Sequence, residues 1–508
     1  MADRKERTDM DTLIVIDKGT TNLKAVLFDT KGNEIGVVSE PCEMSKARRP
    51  GWCEQDMNVI WDVTVRGLKR LKEEYIKDGY KVLGIGITGH GAGVFPVDKD
   101  GKPFRDGIVS LDTRASVIIE EWQENGIAEW FLQKKKAEIL ACYPYSILTW
   151  LKRYEKSSYD KIGTVFFVKD WIKYKLTGKM STDYTDLGPS LLLDVDKMDY
   201  DLEDFDKIGI PEMKACMPPI VPSSEIAGTL LDEVAESAGL ETGIPVFSGV
   251  HDLMASPLGT GAIGEDQLVT VIGTWGCNFT TTDERKGLFS FPHAIPDRFL
   301  TGSLDGNSGS VLERMLNLLC PAECYEGTGR DLYGYAEDLV RASSDDTLIF
   351  HPYLFGGLYN ANACGGFYGL RDWHTKADMV KAVYEGVVFG HYANIQTIPG
   401  HEKIDTLWLV GGGSKSEILA QTFSDITGLT VNTIDVNDVT ARGACLIMLV
   451  GTGACKSYEE ACIPVKVDKT FVPRQAEHAF YEKKYQIYQL IDKGMADAWD
   501  AMRREFIR

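Results

Sequence analysis

The chain has 508 residues, of which 44% are hydrophobic and 26% are charged. A chain of this length exceeds what one hydrophobic core supports, so two domains are expected, and this composition excludes a largely disordered protein. The formal net charge of −20 disfavours nucleic acid and anionic membranes as partners, because such a field repels polyanions.

The sequence carries no sign of a membrane or targeting segment. No apolar run reaches the roughly 18–20 residues that cross a bilayer, and residues 1–11 are charged and polar, unlike a signal peptide. The eleven cysteines follow no zinc-ligand spacing and are expected to be reduced thiols. These features favour a cytoplasmic protein.

Three consecutive antiparallel strands open the predicted fold. An apolar, β-branched run at 13–16 ends at Asp17, and a polar turn at 18–21 leads to a second strand pattern at 23–28. A turn at 29–33 then leads to a third strand at 34–38. An amphipathic helix is predicted at about 56–75, and a buried strand at 82–87 ends in the glycine-rich segment 88–93.

The same order of elements returns in the second half. A strand at 267–272 ends in a turn at 273–276 and is followed by a return strand at 277–282. A long helix at 376–396 and a buried strand at 407–410, with three glycines after it, complete the repeat. The pattern predicts two similar α/β lobes with ligands in a cleft between them. We expect one domain at 12–258, with an insertion at about 120–241, and a second at 259–508.

Two glycine patterns resemble a dinucleotide fingerprint but do not fit it. The fingerprint needs a preceding strand and a following helix. Residues 84–89 are followed by a predicted hairpin, and residues 259–264 follow a helical stretch. Residues 451–457 lack the glycine that a Walker A loop has before its lysine. The sequence therefore disfavours an NAD-linked oxidoreductase and a P-loop enzyme.

Two glycine–threonine hairpins offer another way to hold phosphate. Gly19 lets the backbone approach a phosphate closely, Thr20 and Thr21 can donate hydrogen bonds, and Asp17 can hold Mg²⁺ through water. Residues 273–276 offer the same features in the second lobe. A single hairpin of this kind is more often just a turn, but two at equivalent places favour a pair of phosphate loops.

These motifs together resemble the FGGY carbohydrate kinases, a family of the actin/hexokinase/heat-shock-protein ATPase superfamily. The first hairpin resembles that family's first phosphate loop, and the second hairpin resembles its second. Residues 365–370, with 378–379 and 382–385, fit its carboxyl-terminal signature, and residues 411–416 resemble its adenosine-binding turn. The resemblance spans about residues 12–455. It implies two ribonuclease-H-like domains with a cleft between them, and a reaction that uses ATP and Mg²⁺.

The resemblance also implies roles for particular residues. Asp252 stands where the family keeps its catalytic base, although an aspartate that only caps the following helix is the plain alternative. His251 receives no role. The expected sugar wall comprises His90, Trp52, Asp112 and Arg114, with Asp252 beside it, but Asp112 and Arg114 could equally form a structural ion pair. The expected ATP-binding residues are Asp17, Gly19, Thr20, Thr21, Lys24, Gly273, Thr274, Gly412, Gly413 and Ser416.

Two positions depart from the family pattern, of which the first concerns only a helix and the second bears on the substrate. Ile147 replaces a usual lysine, and His90 replaces a usual glutamine near the sugar. Several stretches look most similar to L-xylulose kinases, which implies transfer of the γ-phosphoryl group of ATP to a hydroxyl of a ketopentose. A polyol kinase of glycerol or erythritol type, and a non-catalytic ATP-binding sugar sensor, remain alternatives. A homodimer is also left open.

Overall fold

In the computed structural model, which describes residues 10–273, 275–462 and 466–506, the chain forms two units, each built around a mixed β-sheet. The first unit comprises the chain up to Ile263, Thr282–Leu300 and a segment that begins at Val436. The second comprises Gly264–Thr281, Thr301–Asp435 and the segment from Lys466 onward. The predicted α/β class with two sheet-containing domains is confirmed.

Most elements up to Ile263 are short, and the longest of them is α1, with 19 residues. The strands are β1 Met10–Lys18, β2 Asn22–Asp29, β3 Glu34–Pro41, β4 Glu54–Gln55, β5 Tyr80–Gly89, β6 Phe95–Val97, β7 Gly107–Ile108, β8 Thr164–Phe166, β9 Leu193–Asp194, β10 Asp199–Tyr200, β11 Ile226–Thr229, β12 Pro245–Phe247 and β13 Val250–His251. The helices are α1 Met57–Tyr75, α2 Ser116–Glu124, α3 Ile127–Lys135, α4 Pro144–Tyr154, α5 Lys156–Tyr159, α6 Val168–Thr177, α7 Tyr184–Leu187, α8 Leu202–Lys207, α9 Asp232–Ala238 and α10 Asp252–Thr260, with a 3-10 turn at Pro211–Cys216.

The remaining elements include the longest helices of the described chain. The strands are β14 Gln267–Ile272, β15 Gly276–Thr282, β16 Ser290–Pro292, β17 Phe299–Asp305, β18 Ile349–His351, β19 Gly366–Tyr368, β20 Thr406–Gly411, β21 Thr430–Ile434 and β22 Val467–Phe471. The helices are α11 Gly309–Leu319, α12 Leu332–Ala342, α13 Lys376–Ile395, α14 Glu417–Thr427, α15 Val439–Gly451, α16 Tyr458–Cys462 and α17 Gln475–Phe506, with 3-10 turns at Ala322–Cys324, His401–Lys403 and Gly412–Lys415.

The sheet of the first unit has the order β11-β12-β5-β1-β2-β3, and β13 also pairs with β5. Strands β1 and β2 are antiparallel, whereas β5 runs parallel to β1. Helix α1 covers this sheet with one apolar face, on which Ile60, Leu68 and Leu71 are fully buried. Asp56 starts the helix because its carboxylate accepts hydrogen bonds from two backbone N–H groups of the first turn.

The second unit repeats this arrangement. Strands β14 and β15 form an antiparallel hairpin, and β20 lies parallel to β14 on its other side. The predicted helix at 376–396 is α13, which contributes Val383 and Val387 to a core shared with Leu407 and Leu409 of β20. The predicted repeat of strand, turn, strand, helix and strand is therefore confirmed. It arises because each half pairs an antiparallel hairpin with one parallel strand in a single sheet.

The boundary region and the helices add two facts. The predicted boundary between residues 258 and 259 falls inside a helix, because α10 continues to Thr260. Across residues 10–273, 275–462 and 466–506, no helix combines the length and hydrophobicity that a membrane span requires.

Candidate active site

Three strand ends of the first unit meet at one edge of its sheet. In the parallel pair β1 and β5, Asp17 lies opposite Thr88, and in the parallel pair β13 and β5, His251 lies opposite Gly89. Parallel strands place their carboxyl ends at a common edge, where ligands of α/β proteins usually bind. The register therefore brings together the residues that end these strands or follow them, namely Asp17, His90 and Asp252.

Asp17 lies in a strongly acidic environment. Burial raises the pKa of Asp17 well above its usual value, and the nearby carboxylates of Asp438 and Asp252 raise it further, whereas Lys24 lowers it. Lys24 contacts Asp438 with 2.8 Å between Nζ and Oδ2. Asp438 also accepts a hydrogen bond of 2.8 Å from the backbone N–H of Ala441 and so caps α15. The structure thus places one lysine among three carboxylates.

This donor set fits a hard divalent cation. Carboxylates that raise one another's pKa repel when ionised, and a cation bound near Asp17 would relieve that repulsion. Mg²⁺ takes oxygen ligands and keeps several waters, so one carboxylate beside the phosphates suffices to hold it. Asp17 is accordingly the residue that could hold Mg²⁺ through water.

The first glycine–threonine turn is supported from below by buried side chains. The ammonium of Lys18 is fully buried and lies 3.1 Å from Gln55 Oε1 and 3.3 Å from the carbonyl oxygen of Thr20. The Gln55 amide also donates to the carbonyl oxygen of Thr20 at 2.7 Å, and the carbonyl oxygen of Thr21 accepts from the backbone of Cys42 at 2.8 Å. These contacts use the carbonyl oxygens of the turn, and binding of phosphate by the N–H groups of Gly19, Thr20 and Thr21 stays a prediction.

Asp252 is the first residue of α10, and it does not cap that helix. The cap is His251, whose Nδ1 accepts a hydrogen bond of 3.0 Å from the backbone N–H of Leu253. The alternative in which Asp252 only caps the helix is therefore wrong. The Asp252 side chain is 34% exposed, and its Oδ1 lies 2.9 Å from His251 Nδ1. One carboxylate oxygen is thus held by the protein, while the side chain still reaches solvent.

His90 presents a buried, neutral imidazole at the same edge. Burial lowers the pKa of His90 to about 4, Lys18 lowers it as well, and the charge of Asp252 opposes this shift. Its Nδ1 lies 3.4 Å from the carbonyl oxygen of Gly91, which can only accept, so Nδ1 carries the proton. Within the described residues Nε2 is buried and has no hydrogen-bond partner. The free lone pair of Nε2 can accept a hydrogen bond from a sugar hydroxyl.

Arg114 contacts the two other remaining members of the expected sugar wall, Asp112 and Trp52. Asp112 accepts bonds from Arg114 through Nε at 2.9 Å and Nη2 at 2.8 Å, and from the backbone N–H groups of Arg114 and Cys53. These four donors fill the acceptor positions of a carboxylate. Arg114 also contacts Glu54 at 2.9 Å and lies over the Trp52 ring, 4.1 Å from its centroid. The ion-pair alternative is thus observed, and contact of Asp112 or Arg114 with sugar stays a prediction.

The second unit contains a cavity of about 500 Å³ at its own strand ends. Four predicted nucleotide residues line it, together with side chains from α11 and α12. Ser416 donates a hydrogen bond of 2.5 Å to Glu337 Oε1 and also caps α14. Thr274 lies outside the described residues. The predicted residues that line the cavity are Gly273, Gly412, Gly413 and Ser416.

Sequence reasoning missed several residues of this site. Asp438 lies 414 positions from its partner Lys24, and no local pattern links the two. Lys18 was not singled out, because an isolated lysine after a strand usually faces solvent. His251 could have been found from its place before α10, because an imidazole can cap a helix as an asparagine does.

Comparison with known proteins identifies the family. Residues 12–259 match the FGGY family of carbohydrate kinases, N-terminal domain, and residues 268–452 match the C-terminal domain of the same family. An L-xylulose/3-keto-L-gulonate kinase of Escherichia coli (strain K12) is 32% identical over 482 residues, which cover 93% of this chain and 95% of that relative. A probable L-xylulose kinase of Pasteurella multocida (strain Pm70) is 28% identical, with coverages of 96% and 99%.

Solved structures show the same fold. A ligand-bound xylulose kinase from Lactobacillus acidophilus superposes with a TM-score of 0.88 at 24% identity, covering 97% of this chain and 100% of that one. A Plasmodium falciparum glycerol kinase with ADP gives a TM-score of 0.81 at 20% identity, with coverages of 95% and 98%. These similarities confirm the expected two-domain, actin-like ATPase fold. Together with the matches along both domains, they establish that the chain belongs to the FGGY family of carbohydrate kinases and is an ATP-dependent sugar kinase.

Proposed function

We propose that this kinase transfers the γ-phosphoryl group of ATP to a hydroxyl of an open-chain ketopentose of the xylulose type, with Asp252 as the general base. The names of the relatives support the substrate class, since those with the highest identities described above are L-xylulose kinases. The observation that carries the proposal is that Asp17, His90 and Asp252 lie close together. The charge of Asp252 raises the pKa of both Asp17 and His90.

The chemical step requires one carboxylate oxygen that faces the acceptor. Asp252 accepts the proton of the sugar hydroxyl, the hydroxyl oxygen forms a bond to the γ-phosphorus, and the bond from that phosphorus to the bridging oxygen of ADP breaks. Oδ1 is occupied by His251 at 2.9 Å, so Oδ2 is the oxygen available for the proton. The partial exposure of Asp252, 34%, provides access for the sugar.

Asp17 and the first turn bind the phosphates. Bound near Asp17, Mg²⁺ would neutralise charge on the phosphoryl group. The backbone N–H groups of Gly19, Thr20 and Thr21 donate to phosphate oxygens, as turns of this kind do in other nucleotide sites. Lys24 lies in β2, which follows the phosphate turn, and its ion pair with Asp438 connects this strand to the start of α15.

His90 and Trp52 recognise the sugar. The neutral His90 ring offers an acceptor at Nε2, which suits a hydroxyl. Trp52 offers an apolar surface for the carbon chain, held in place by Arg114 and by an edge-on contact with Trp150 at 5.3 Å between ring centroids. Because the surroundings already contain several carboxylates, we expect a neutral ketopentose to be preferred over a carboxylated sugar.

The second unit binds the adenosine part of ATP in its cavity. The glycines of the 3-10 turn at Gly412–Lys415 let a planar base approach the backbone, and Ser416 with Glu337 supplies polar groups beside it. Thr274 contributes to phosphate binding in this proposal. We also propose a cytoplasmic location, where ATP is abundant and thiols stay reduced, and we retain the homodimer as a prediction.

An assay of ADP release from Mg-ATP tests this function. The acceptor panel comprises L-xylulose, D-xylulose, 3-keto-L-gulonate, erythritol, glycerol and no sugar. We expect kcat/KM to be highest for a xylulose. A higher value for glycerol or erythritol would replace this substrate class with a polyol, and ADP release that no sugar stimulates would favour the ATP-binding sensor.

A further inference from the structure

A buried ionic cluster lies beside the candidate base in the first unit. The ammonium of Lys169 lies 2.8 Å from Asp170 Oδ1 and 2.9 Å from Asp186 Oδ2, and it also contacts Asp183. Lys173 lies 3.0 Å from Asp170 Oδ1. None of these five side chains is more than 1% exposed. Such a buried group of charges is costly unless it is balanced.

The cluster has three carboxylates but only two ammonium groups. Although the three carboxylates are close enough to hold a metal ion, Lys169 already contacts all of them. A formal excess of one negative charge therefore remains in a region without solvent. Asp186 has the weakest compensation, because among the described residues neither of its oxygens accepts a hydrogen bond, whereas Asp170 and Asp183 each accept one at Oδ1. A neighbouring cation or a proton is needed there.

The imidazole of His251 lies between this cluster and the base. Its Nε2 is 4.0 Å from Asp186 Oδ1, and its Nδ1 is 2.9 Å from Asp252 Oδ1. Gly91 gives the ring its space, because a Cβ at that position would come within 1.8 Å of Nε2. The backbone of His251 is fixed by a hydrogen bond of 2.9 Å to Thr185 Oγ1. The ring is therefore held with one nitrogen toward each carboxylate.

Nδ1 has two partners that require opposite protonation. The backbone N–H of Leu253 donates to Nδ1 at 3.0 Å, which needs a lone pair on that nitrogen. An ionised Asp252 at 2.9 Å needs a proton on the same nitrogen. Because Nε2 faces the carboxylate of Asp186, the neutral ring keeps its proton on Nε2 and caps α10 through Nδ1, whereas the doubly protonated ring binds the base instead.

We propose that His251 is a positioning residue whose protonated ring, balanced by Asp186, holds Oδ1 of Asp252 so that Oδ2 faces the acceptor hydroxyl. This inference rests on the proposed role of Asp252 as base. Asp252, and not His251, accepts the proton of the acceptor hydroxyl. When the ring loses its proton, Nδ1 returns to the cap and releases the carboxylate. Turnover therefore falls as the pH rises through the pKa of His251.

The groups that face the ring together determine the direction in which the pKa of His251 shifts. Burial lowers the pKa of His251, but Asp252 and Asp186 raise it, and the outcome is a pKa above the usual value. Lys169 opposes the rise, and His90, which also faces the ring, is neutral above about pH 4. The ring therefore keeps its proton to a higher pH than an ordinary imidazole does, and the loss of turnover belongs on the high-pH side of the profile.

The test measures kcat and KM from about pH 5 to about pH 9 for three variants. His251→Asn places an amide N–H near the position of Nδ1, so we expect kcat to fall less than in His251→Gln and the alkaline fall to disappear. His251→Gln reaches the position of Nε2 instead, and kcat should fall by about tenfold to a hundredfold, with little change in KM for ATP. Asp186→Asn removes the balancing charge and should move the alkaline fall to lower pH.

His293 provides a matched control in the same unit. Its Nδ1 also accepts a hydrogen bond from the backbone two residues ahead, at 3.1 Å from the Ile295 nitrogen, and the side chain is buried. Among the described residues, burial and Arg298 lower the pKa of His293, and no carboxylate opposes this shift. His293→Asn should retain the wild-type pH profile, so that loss of a hydrogen bond from the backbone to a histidine is separated from loss of the contact with Asp252.

The outcomes separate this inference from the proposed function. Wild-type kcat in His251→Gln, or an unchanged alkaline limb in both His251→Asn and Asp186→Asn, would overturn the positioning role. If His251→Gln fails to fold, as judged by circular dichroism and ATP binding, the other two variants decide. Wild-type turnover in Asp252→Asn would instead refute the base itself, whatever the histidine variants show.

Discussion

Helices α10 and α15 of the first unit cross at two glycines, and this crossing sets the positions of two acidic residues. α10 begins at Asp252 and α15 follows its cap, Asp438. A Cβ added to Gly443 would lie 1.9 Å from the carbonyl oxygen of Ala255, and one added to Gly259 would lie 1.9 Å from that of Val439. Neither helix can accept even a methyl group at the crossing.

Gly443→Ala should therefore push the two helices apart. Ordinary contacts between heavy atoms lie near 3.5 Å, so the backbone must move by about 1.5 Å. Overpacking of this kind costs about 1–3 kcal/mol of unfolding free energy. Since a shift of about 1 Å can reduce a rate about a hundredfold, we expect kcat to fall by about tenfold to a hundredfold as Asp252 moves relative to Asp438 and Asp17.

Gly494 is the matched control for this substitution. It lies within α17 with nothing near its missing Cβ, so Gly494→Ala should raise the unfolding free energy by about 0.5–1 kcal/mol and leave kcat unchanged. Unfolding free energies come from urea titration and kcat from coupled ADP release with L-xylulose and saturating Mg-ATP. If Gly443→Ala shows wild-type kcat and stability, the account of the α10 and α15 crossing is wrong.

Two further predictions concern the nucleotide cavity and the buried histidines. Gly412→Val places a larger side chain in the cavity, where the nearest heavy atom to a new Cβ is 4.0 Å away. KM for ATP should therefore rise by about tenfold or more, with little loss of stability. An unchanged KM would show that ATP does not bind in this cavity. Burial lowers the pKa of His90 to about 4 and that of His293 and His391 to about 3. The unfolded chain therefore binds protons first, and each histidine should lower the unfolding free energy by up to about 1.4 kcal/mol per pH unit below about pH 6.5. Urea midpoints that stay constant from about pH 6.5 to about pH 4.5 would contradict this.

The repeated architecture was predictable because its signals are local. A β-branched run, a glycine–threonine turn and a second run follow each other within twenty residues in each half, and burial of those runs requires a hairpin. The position of Asp252 at the end of a strand could also be predicted, because it directly follows a buried strand. The family resemblance then led to the prediction that the residues around Gly412 bind the nucleotide.

The ionic contacts of the site could not be predicted, because they depend on how distant segments pack. Lys24 pairs with Asp438 across 414 positions, and His251 meets Asp186 only because α7 lies beside β13. Thr282–Leu300 belongs to the first unit although it follows the predicted domain boundary. Protonation is likewise a property of the packed state, since the lowered pKa of His90 comes mainly from burial.

The central chemical claim concerns one carboxylate, and Asp252→Asn tests it most directly, with Asp62→Asn on the exposed face of α1 as its control. ADP release with L-xylulose and the dissociation constant of ATP are measured on the same preparations. The account predicts that Asp252→Asn loses about a hundredfold to ten-thousandfold in turnover, while ATP affinity and the Asp62→Asn enzyme stay close to wild type. Turnover near the wild-type rate in Asp252→Asn would contradict it.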